Sequence, residues 1–454
     1  MKSPRIHQFE INGEKLVFDV ESDTLHQVDD LAWKVMSLLD EGYPVGRIKE
    51  ILADEYFPQD ITETLEEIKS LQQQDLLWGS PPETTGTSES MVKALCLNIA
   101  HTCNLSCRYC FAGEGSYGGE DSLMSPEVGK AAIDFLLDNS GGRKRLEVDY
   151  FGGEPLLNFE TVKKTTAYAR QRARETGVEF GFTLTTNGLL LTEDVINYLQ
   201  AEGFSVILSL DGRKEVHDRM RRSPGGDPSY EKVKERLLNF LARWDGNYYV
   251  RGTFTSYNLD FSKDVAHMVD LGFRNISLEP AVSSPEDDWA LSQKDLPYLE
   301  NEYERLAEYY LQKLHEKDPF DFFHFAVDLD RGPCVYKRLS GCGAGNEYLA
   351  VTPTGELYPC HQLVGDESLC LGNVRQFPNF TPPSSEAFPP AGPLHGKCAS
   401  CWARYHCGGG CRAAARLVNG SFHQPYELEC ALQKKRLECA LYIKSKINEK
   451  STTC

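Results

Sequence analysis

At 454 residues the chain is too long for a single hydrophobic core, and two or three domains are expected. Its net charge of −19 excludes the basic face that a nucleic-acid surface needs, and no apolar run approaches the roughly 18 residues that span a bilayer. The N-terminal stretch MKSPRIHQFEING lacks an apolar signal core, so a cytoplasmic location is expected, and fifteen cysteines in that compartment read as metal ligands rather than disulfides.

Residues 1–80 read as a separate small domain. Ile6–Ile11 and Lys15–Val20 alternate as strands around Asn12-Gly13, a good hairpin turn. A short strand near Thr24–Val28 follows. Helical periodicity then runs from Asp29 or Asp30 to Leu39, over Val45–Tyr56 and over Asp60–Gln74. Three strands with three helices make a winged-helix-like layout. DNA binding would be its obvious use, but seven Lys and Arg against seventeen Asp and Glu would repel phosphates. A sheet edge that takes up a basic peptide as an added strand suits that charge better, with a purely structural domain as the plain alternative.

The polar run Ser80–Ser90, with its Pro and Gly, reads as a linker, placed at residues 81–92. Residues 93–320 alternate strand and helix. Strands are expected at Leu95–Ala100, Arg145–Tyr150, Glu179–Thr185, Ser205–Ser209, Tyr249–Thr255 and Asn275–Leu278. Ser125 and Pro126 cap and open one helix, and Asn158–Thr176 and Asp295–Lys317 form others. Six βα units predict an α/β fold, a partial (β/α)6 barrel with its functional loops at the C-terminal strand ends.

The first of those loops holds His101-Thr-Cys-Asn-Leu-Ser-Cys-Arg-Tyr-Cys110, a C-x3-C-x2-C spacing. Three thiolates, Cys103, Cys107 and Cys110, can hold three irons of a [4Fe–4S] cluster and leave the fourth iron open to S-adenosylmethionine. No fourth cysteine lies between Cys110 and Cys334, which suits neither a fully ligated cluster nor a zinc site. Tyr109 is a further candidate cofactor contact. One βα unit later comes Phe151-Gly152-Gly153-Glu154-Pro155, where glycines let backbone carbonyls approach a ligand. Either those carbonyls or Glu154 would accept from a methionine ammonium. Asn187 and Ser209 end the third and fourth strands, where a cofactor's carboxylate and ribose would lie, although Asn-Gly and Asp-Gly also make plain turns. Asp211 serves a substrate or only its turn. Arg251 pairs with a carboxylate or is an exposed strand end.

Residues 321–454 are cysteine-dense. Cys342, Gly355 and Cys360 give C-x12-G-x4-C; Cys398, Cys401, Cys407 and Cys411 give C-x2-C-x5-C-x3-C; Cys430 follows and Cys334 precedes. Eight thiols suffice for two [4Fe–4S] clusters or two zinc sites, so the count alone decides nothing. The spacing resembles the SPASM domain of radical S-adenosylmethionine enzymes. That resemblance implies a first auxiliary cluster on Cys342, Cys360 and Cys411, with Cys334 as a fourth ligand or an open iron. It implies a second on Cys398, Cys401, Cys407 and Cys430, giving three [4Fe–4S] clusters with the first site. Cys96, Cys370, Cys439 and Cys454 are left for structural or incidental roles.

Over its full length the chain resembles peptide-modifying radical enzymes, and most of all the SCIFF maturases, which make thioether crosslinks in a six-cysteine peptide. Three stretches carry this: Ile6-His-Gln-Phe-Glu10 with Val28-Asp29, Cys110-Phe-Ala-Gly-Glu-Gly115, and Glu347 to Gln362. The resemblance implies that residues 1–80 are a RiPP recognition element binding a leader peptide. It also implies that a flavodoxin or ferredoxin supplies electrons, that a substrate hydrogen is abstracted, and that a cysteine sulfur joins that carbon. No nucleic acid or membrane partner is implied. Anaerobic sulfatase-maturing enzymes share the barrel and SPASM pattern, but they carry aspartate where His361 follows Cys360 and lack a leader-binding domain. His361 is a base or a surface residue on this reading. A non-catalytic iron–sulfur peptide scaffold would need neither the open iron nor the Gly-Gly-Glu-Pro turn.

Overall fold

The computed structural model describes residues 5–80, 91–329, 341–376, 382–384, 388 and 396–451. Cys334, Cys454, the linker residues 81–90 and most of the Pro-rich insert 377–393 lie outside the described residues.

At the N-terminus, β1 (Ile6–Ile11) and β2 (Glu14–Asp19) form an antiparallel hairpin. Asn12 and Gly13 both take φ near +50 to +80°, as a two-residue turn of this hand requires. β3 (Leu25–Val28) pairs antiparallel with β2 and forms one edge of the sheet. Helices α1 (Asp30–Asp40), α2 (Val45–Leu52) and α3 (Pro58–Gln73) follow. Asp29 caps α1 by accepting from the Ala32 N–H at 2.8 Å. α2 stops at Leu52, short of the expected Tyr56, because Phe57 precedes Pro58 and is held extended, and Pro58 then opens α3.

The period of two along the strands splits this sheet between two cores. Ile6 and Val17 pack against Leu31, Val35, Ile48, Ile61 and Leu65 of the helices. Phe9, Ile11, Leu16 and Phe18 face the other way and join the main core of the chain.

The central body follows from β4 (Ala94–His101), with the short strands β5 (Ser106–Cys107) and β6 (Ser122–Leu123) and helix α4 (Pro126–Asp138). β7 (Arg145–Gly152), α5 (Phe159–Thr176), β8 (Glu179–Thr186), α6 (Glu193–Ala201) and β9 (Ser205–Ser209) come next. α7 (Lys214–Met220), β10 (Arg221–Arg222), α8 (Tyr230–Leu241), β11 (Tyr248–Phe254), α9 (Ser262–Asp270) and β12 (Asn275–Pro280) complete it. β4, β7, β8, β9, β11 and β12 pair in that order, all parallel. Each crossover between neighbours carries a helix, as parallel pairing demands.

This α/β fold with its mostly parallel central sheet continues beyond the six strands. β13 (Asp321–Phe322), after the long helix α10 (Leu296–His315), pairs parallel with β12. β14 (Tyr348–Val351) pairs parallel with the other edge, β4, and leads into β15 (Glu356–Tyr358) and β16 (Gly372–Asn373). That extension carries the C-terminal cysteine segment to the rim above β4. The closing helix, Glu427–Ser451, packs on α10 and under the N-terminal sheet. No helix among the described residues is long and apolar enough to cross a membrane.

Candidate functional site

The cysteine loop lies across the C-terminal ends of the strands. β5 pairs with β10, which sets Cys107 opposite Arg221. Cys103, Cys107 and Cys110 line one cavity together with Gly152, Gly153, Glu154, Asn187, Ser209, Arg251, Glu279, His361 and Gln362. All seven cofactor candidates read from the sequence therefore surround the loop, Tyr109 included.

The Gly-Gly step is forced by close packing. A Cβ on Gly153 would meet the Thr102 carbonyl oxygen at 2.1 Å, and one on Gly152 would meet the Ala100 oxygen at 2.4 Å. The Gly153 and Glu154 N–H groups donate to those same oxygens at 2.8 and 3.0 Å. Glu154 is fully buried. Its Oε1 accepts from the Thr186 hydroxyl at 2.8 Å and the Leu156 N–H at 3.1 Å, and its Oε2 from the Asn187 N–H at 2.8 Å. Burial outweighs these donors and pushes its carboxyl from 4.5 up to about 7. The side chain thus ties the end of β7 to the end of β8. Asn187 continues the tie, donating to Asn104 Oδ1 at 2.7 Å and lying 3.7 Å from Cys103 Sγ.

Tyr109 and Asp211 work inside the wall. The Tyr109 hydroxyl donates to Asp211 Oδ2 at 2.6 Å and accepts from Arg221 Nη1 at 2.9 Å, while Asp211 Oδ1 accepts from the Thr253 N–H at 3.1 Å. Asp211 is therefore an internal counter-charge rather than a bare turn residue. Arg221 was not singled out in the sequence. Its signal is a contact more than a hundred residues away, which no local pattern records. Glu279 was also missed. It ends β12, held well below the ordinary carboxylate range despite burial by His324, Arg436 and Arg251. The same Arg251 adds to the burial that pushes His361 from 6.5 down to about 4.

His361 is not a surface residue. Its ring sits among Phe111, Phe151 and Tyr348, and its Nδ1 meets the Tyr348 hydroxyl at 2.8 Å.

The C-terminal thiols fall into two groups. Cys342, Cys360 and Cys411 lie within electrostatic reach of one another and of the Arg412 guanidinium. Cys398, Cys401, Cys407 and Cys430 line a separate cavity of about 690 Å³. Cys96 packs in the core beside the first group, and Cys439 is buried in the main core. Cys370 is exposed.

Among the described residues no three His, Cys, Asp or Glu side chains converge on a single metal ion, and it is the chemistry of the thiol sets that suits iron–sulfur clusters. Burial pushes Cys103 and Cys360 up to about 12 and Cys107 and Cys411 up to about 11, so thiolates there need a bound cation. Arg412 is a buried cation beside the first C-terminal group, stacked over the Phe388 ring, and its Nη1 has no hydrogen-bond partner among the described residues, as suits a neighbouring anionic cluster. Gly408, Gly409 and Gly410 all take positive φ between Cys407 and Cys411, which turns backbone amides toward the sulfurs: the Gly409 and Gly410 amides already hydrogen-bond Cys407.

Comparison with known proteins agrees with this geometry. Residues 97–250 match the Radical SAM superfamily model. The mycofactocin maturase MftC of Mycobacterium tuberculosis is 29% identical over 70% of this chain and 78% of its own length. The cysteine-type anaerobic sulfatase-maturating enzyme of Clostridium perfringens is 25% identical over 68% of this chain and 86% of its own. Among solved structures, native anSMEcpe with bound AdoMet covers 79% of this chain and 99% of its own at 21% identity and a TM-score of 0.63. Streptococcus suis SuiB bound to S-adenosylmethionine covers 94% and 99% at 14% identity and a TM-score of 0.53. The match to the Radical SAM superfamily model spans the cysteine loop, the Gly-Gly step and the strands from β4 to β11 that carry them.

Proposed function

We propose that this chain is a radical S-adenosylmethionine maturase that forms thioether crosslinks between cysteine sulfur and a partner carbon in a ribosomally made, Cys-rich, SCIFF-like precursor. The observation that carries the reading is one cavity lined by Cys103, Cys107 and Cys110 and also by His361 and Gln362, which directly follow Cys360.

Cys103, Cys107 and Cys110 would hold the first [4Fe–4S] cluster. Cys342, Cys360 and Cys411, with Cys334, would hold the second, and Cys398, Cys401, Cys407 and Cys430 the third. When bound, the first cluster supplies the electron that splits S-adenosylmethionine into methionine and a 5′-deoxyadenosyl radical. The Gly152 and Gly153 carbonyls, or Glu154, would receive the methionine ammonium. Asn187, Ser209 and Arg251 receive its carboxylate and ribose. Tyr109, Asp211 and Arg221 hold the cysteine loop in register with β9. His361, neutral at physiological pH, walls the cavity on the side of Cys360.

In this reading residues 1–80 are a RiPP recognition element, and the free edge of β3 holds a basic leader. Tethering makes a difficult encounter intramolecular. A flavodoxin or ferredoxin delivers the electrons. Support comes from SuiB, solved bound to precursor peptide SuiA, and from anSMEcpe, solved with a Kp18Cys peptide. A formylglycine-generating activity is the second reading, favoured by the likeness to anSMEcpe. Against it stand His361 in place of an aspartate and the wider reach of the SuiB likeness, 94% of the chain against 79%.

The test is anaerobic incubation of reconstituted protein with S-adenosylmethionine, a reductant and a Cys-rich precursor, read by mass spectrometry. Thioether synthesis predicts a loss of two hydrogens per bridge, fewer alkylatable thiols and 5′-deoxyadenosine. An unchanged peptide with cofactor cleavage removes the crosslinking assignment, and no cleavage at full iron loading removes the catalytic one.

A further inference from the structure

Five residues separate Cys401 from Cys407. Four of them are gripped by the N-terminal sheet. His7 on β1 stacks on Trp402 with ring centroids 3.7 Å apart and planes within 5°, and its Nε2 meets Glu438 Oε1 at 2.9 Å. Glu21 takes the Arg404 guanidinium on Oε1 and the Tyr405 hydroxyl on Oε2. Asp23 Oδ1 meets His406 Nε2 at 2.6 Å.

The grip is built from the β2–β3 turn upward. Asp19 is fully buried, and its Oδ1 accepts from the N–H groups of Glu21 and Ser22 at 3.1 and 2.9 Å. That turn aims Glu21 and Asp23 at the cysteine segment. Asp23 pays a backbone cost to be there: its φ is +64°, in the left-handed region that glycine or asparagine tolerates best. The Arg404 side chain is only 2% exposed, so Glu21 balances a cation that has left water. On the far side, Gly408 to Gly410 give the segment little stiffness of its own. His7 also lines the cavity shared by Cys398, Cys401, Cys407 and Cys430.

We propose that Glu21 and Asp23 are positioning residues for the Cys398, Cys401, Cys407 and Cys430 site, so that the N-terminal sheet sets the placement of Cys401 and Cys407 and is a working part of that metal centre. The proposal deepens the function above and rests on those four cysteines being cluster ligands. It makes the N-terminal sheet and the Cys398, Cys401, Cys407 and Cys430 site one mechanical body.

The test compares reconstituted full-length wild type with a Glu21→Ala/Asp23→Ala double variant. Iron content, the rate of iron loss to a chelator and the EPR spectrum of the reduced protein are read for each. In the double variant about four irons leave roughly tenfold faster than in wild type, as loss of outer-shell support costs other metal sites. One EPR component shifts and the rest do not. Asp23→Asn tolerates the left-handed turn and keeps one acceptor oxygen, so Glu21→Ala/Asp23→Asn releases iron more slowly than Glu21→Ala/Asp23→Ala. Identical release and identical spectra in the double variant overturn the proposal. Should that variant not fold, His7→Ala leaves the turn untouched and is expected to shift the same EPR component; a folded His7→Ala protein with wild-type spectrum and release overturns it equally. A wild type that loads about four irons in total instead overturns the cluster reading itself, and the positioning role with it.

Discussion

The Tyr109 hydroxyl donates to Asp211 Oδ2 at 2.6 Å and ties the cysteine loop to the end of the fourth barrel strand. Arg221 completes the trio from the strand that pairs with Cys107, 2.9 Å from the same hydroxyl. Asp211 is fully buried and Arg221 nearly so. Asp211→Ala leaves the guanidinium uncompensated, and a loss of about 3 kcal/mol in unfolding free energy is expected. Tyr109→Phe keeps the ion pair and should cost about 1 kcal/mol. Chemical denaturation of the two variants checks the order, and equal losses would count against the trio.

Gly153 has no room for a side chain. A Cβ there would meet the Thr102 carbonyl oxygen at 2.1 Å, and Thr102 neighbours Cys103. Gly153→Ala must therefore move the loop that carries the cysteines. Misplacement of about 1 Å is enough to cost on the order of 100-fold in rate, and 5′-deoxyadenosine formation should fall by that order. Gly119→Ala serves as the control, since its φ is ordinary and a Cβ there would meet only the Ser116 carbonyl oxygen, at a normal contact distance of 3.6 Å. A Gly153→Ala protein with wild-type cleavage would show that the loop has slack.

The same packing bears on what was legible in the sequence. Strands, caps and the six βα units follow from local period and turn chemistry, as with Ser125 accepting from the Val128 N–H at the head of α4. The glycines at 152 and 153 were legible because their spacing from the cysteines carries the signal. Arg221, Glu279 and the Glu21 and Asp23 grip were not. Each acts through a partner far along the chain, and a buried charge shows no periodicity that marks it. Asp23 is instructive: its position reads as an ordinary turn acid until His406, 383 residues away, is seen beside it. Likewise nothing local announces that β14 pairs with β4, which is what brings His361 to the cavity.

Glu154 gives a pH signature. Its carboxyl is raised by burial from 4.5 to about 7 in the folded chain. Between those two values the unfolded chain gives up a proton that the folded chain keeps. Stability is therefore full below the lower value, falls as pH rises through the window, and levels above it, by about 3 kcal/mol at most. Glu154→Gln cannot titrate. Urea unfolding at several pH values should show the wild-type advantage over the variant shrinking from about pH 5 to about pH 7.5. A constant difference would place the proton elsewhere.

Arg436 joins the closing helix to the barrel. Its Nε donates to the Tyr303 hydroxyl at 2.8 Å, and its Nη1 lies 3.6 Å from Glu279 Oε2. Glu279 stays ionised because Arg436, His324 and Arg251 surround it. Arg436→Leu leaves that carboxylate with only His324 and Arg251 beside it and removes the Tyr303 hydrogen bond, and a loss of about 3 kcal/mol is expected. The double change Arg436→Leu/Glu279→Gln should recover part of the loss, since it removes the unpaired charge as well as its partner. Additive losses in the double-mutant cycle would mean that the two side chains do not share one network.

The last prediction concerns the N-terminal sheet. Residues 1–80 carry seven basic and seventeen acidic side chains, so a leader held there by charge should bind more weakly as salt rises. Titration of a labelled basic leader into the full chain should show affinity falling by about tenfold between low and high salt, with a smaller fall for a leader whose Lys and Arg are replaced by Gln. Cleavage of S-adenosylmethionine without peptide should follow neither change, because the cysteine loop sits on the barrel. If the affinity is flat in salt, the edge of β3 recognises its peptide by backbone pairing and apolar pockets alone, and the acidity of the domain has another cause.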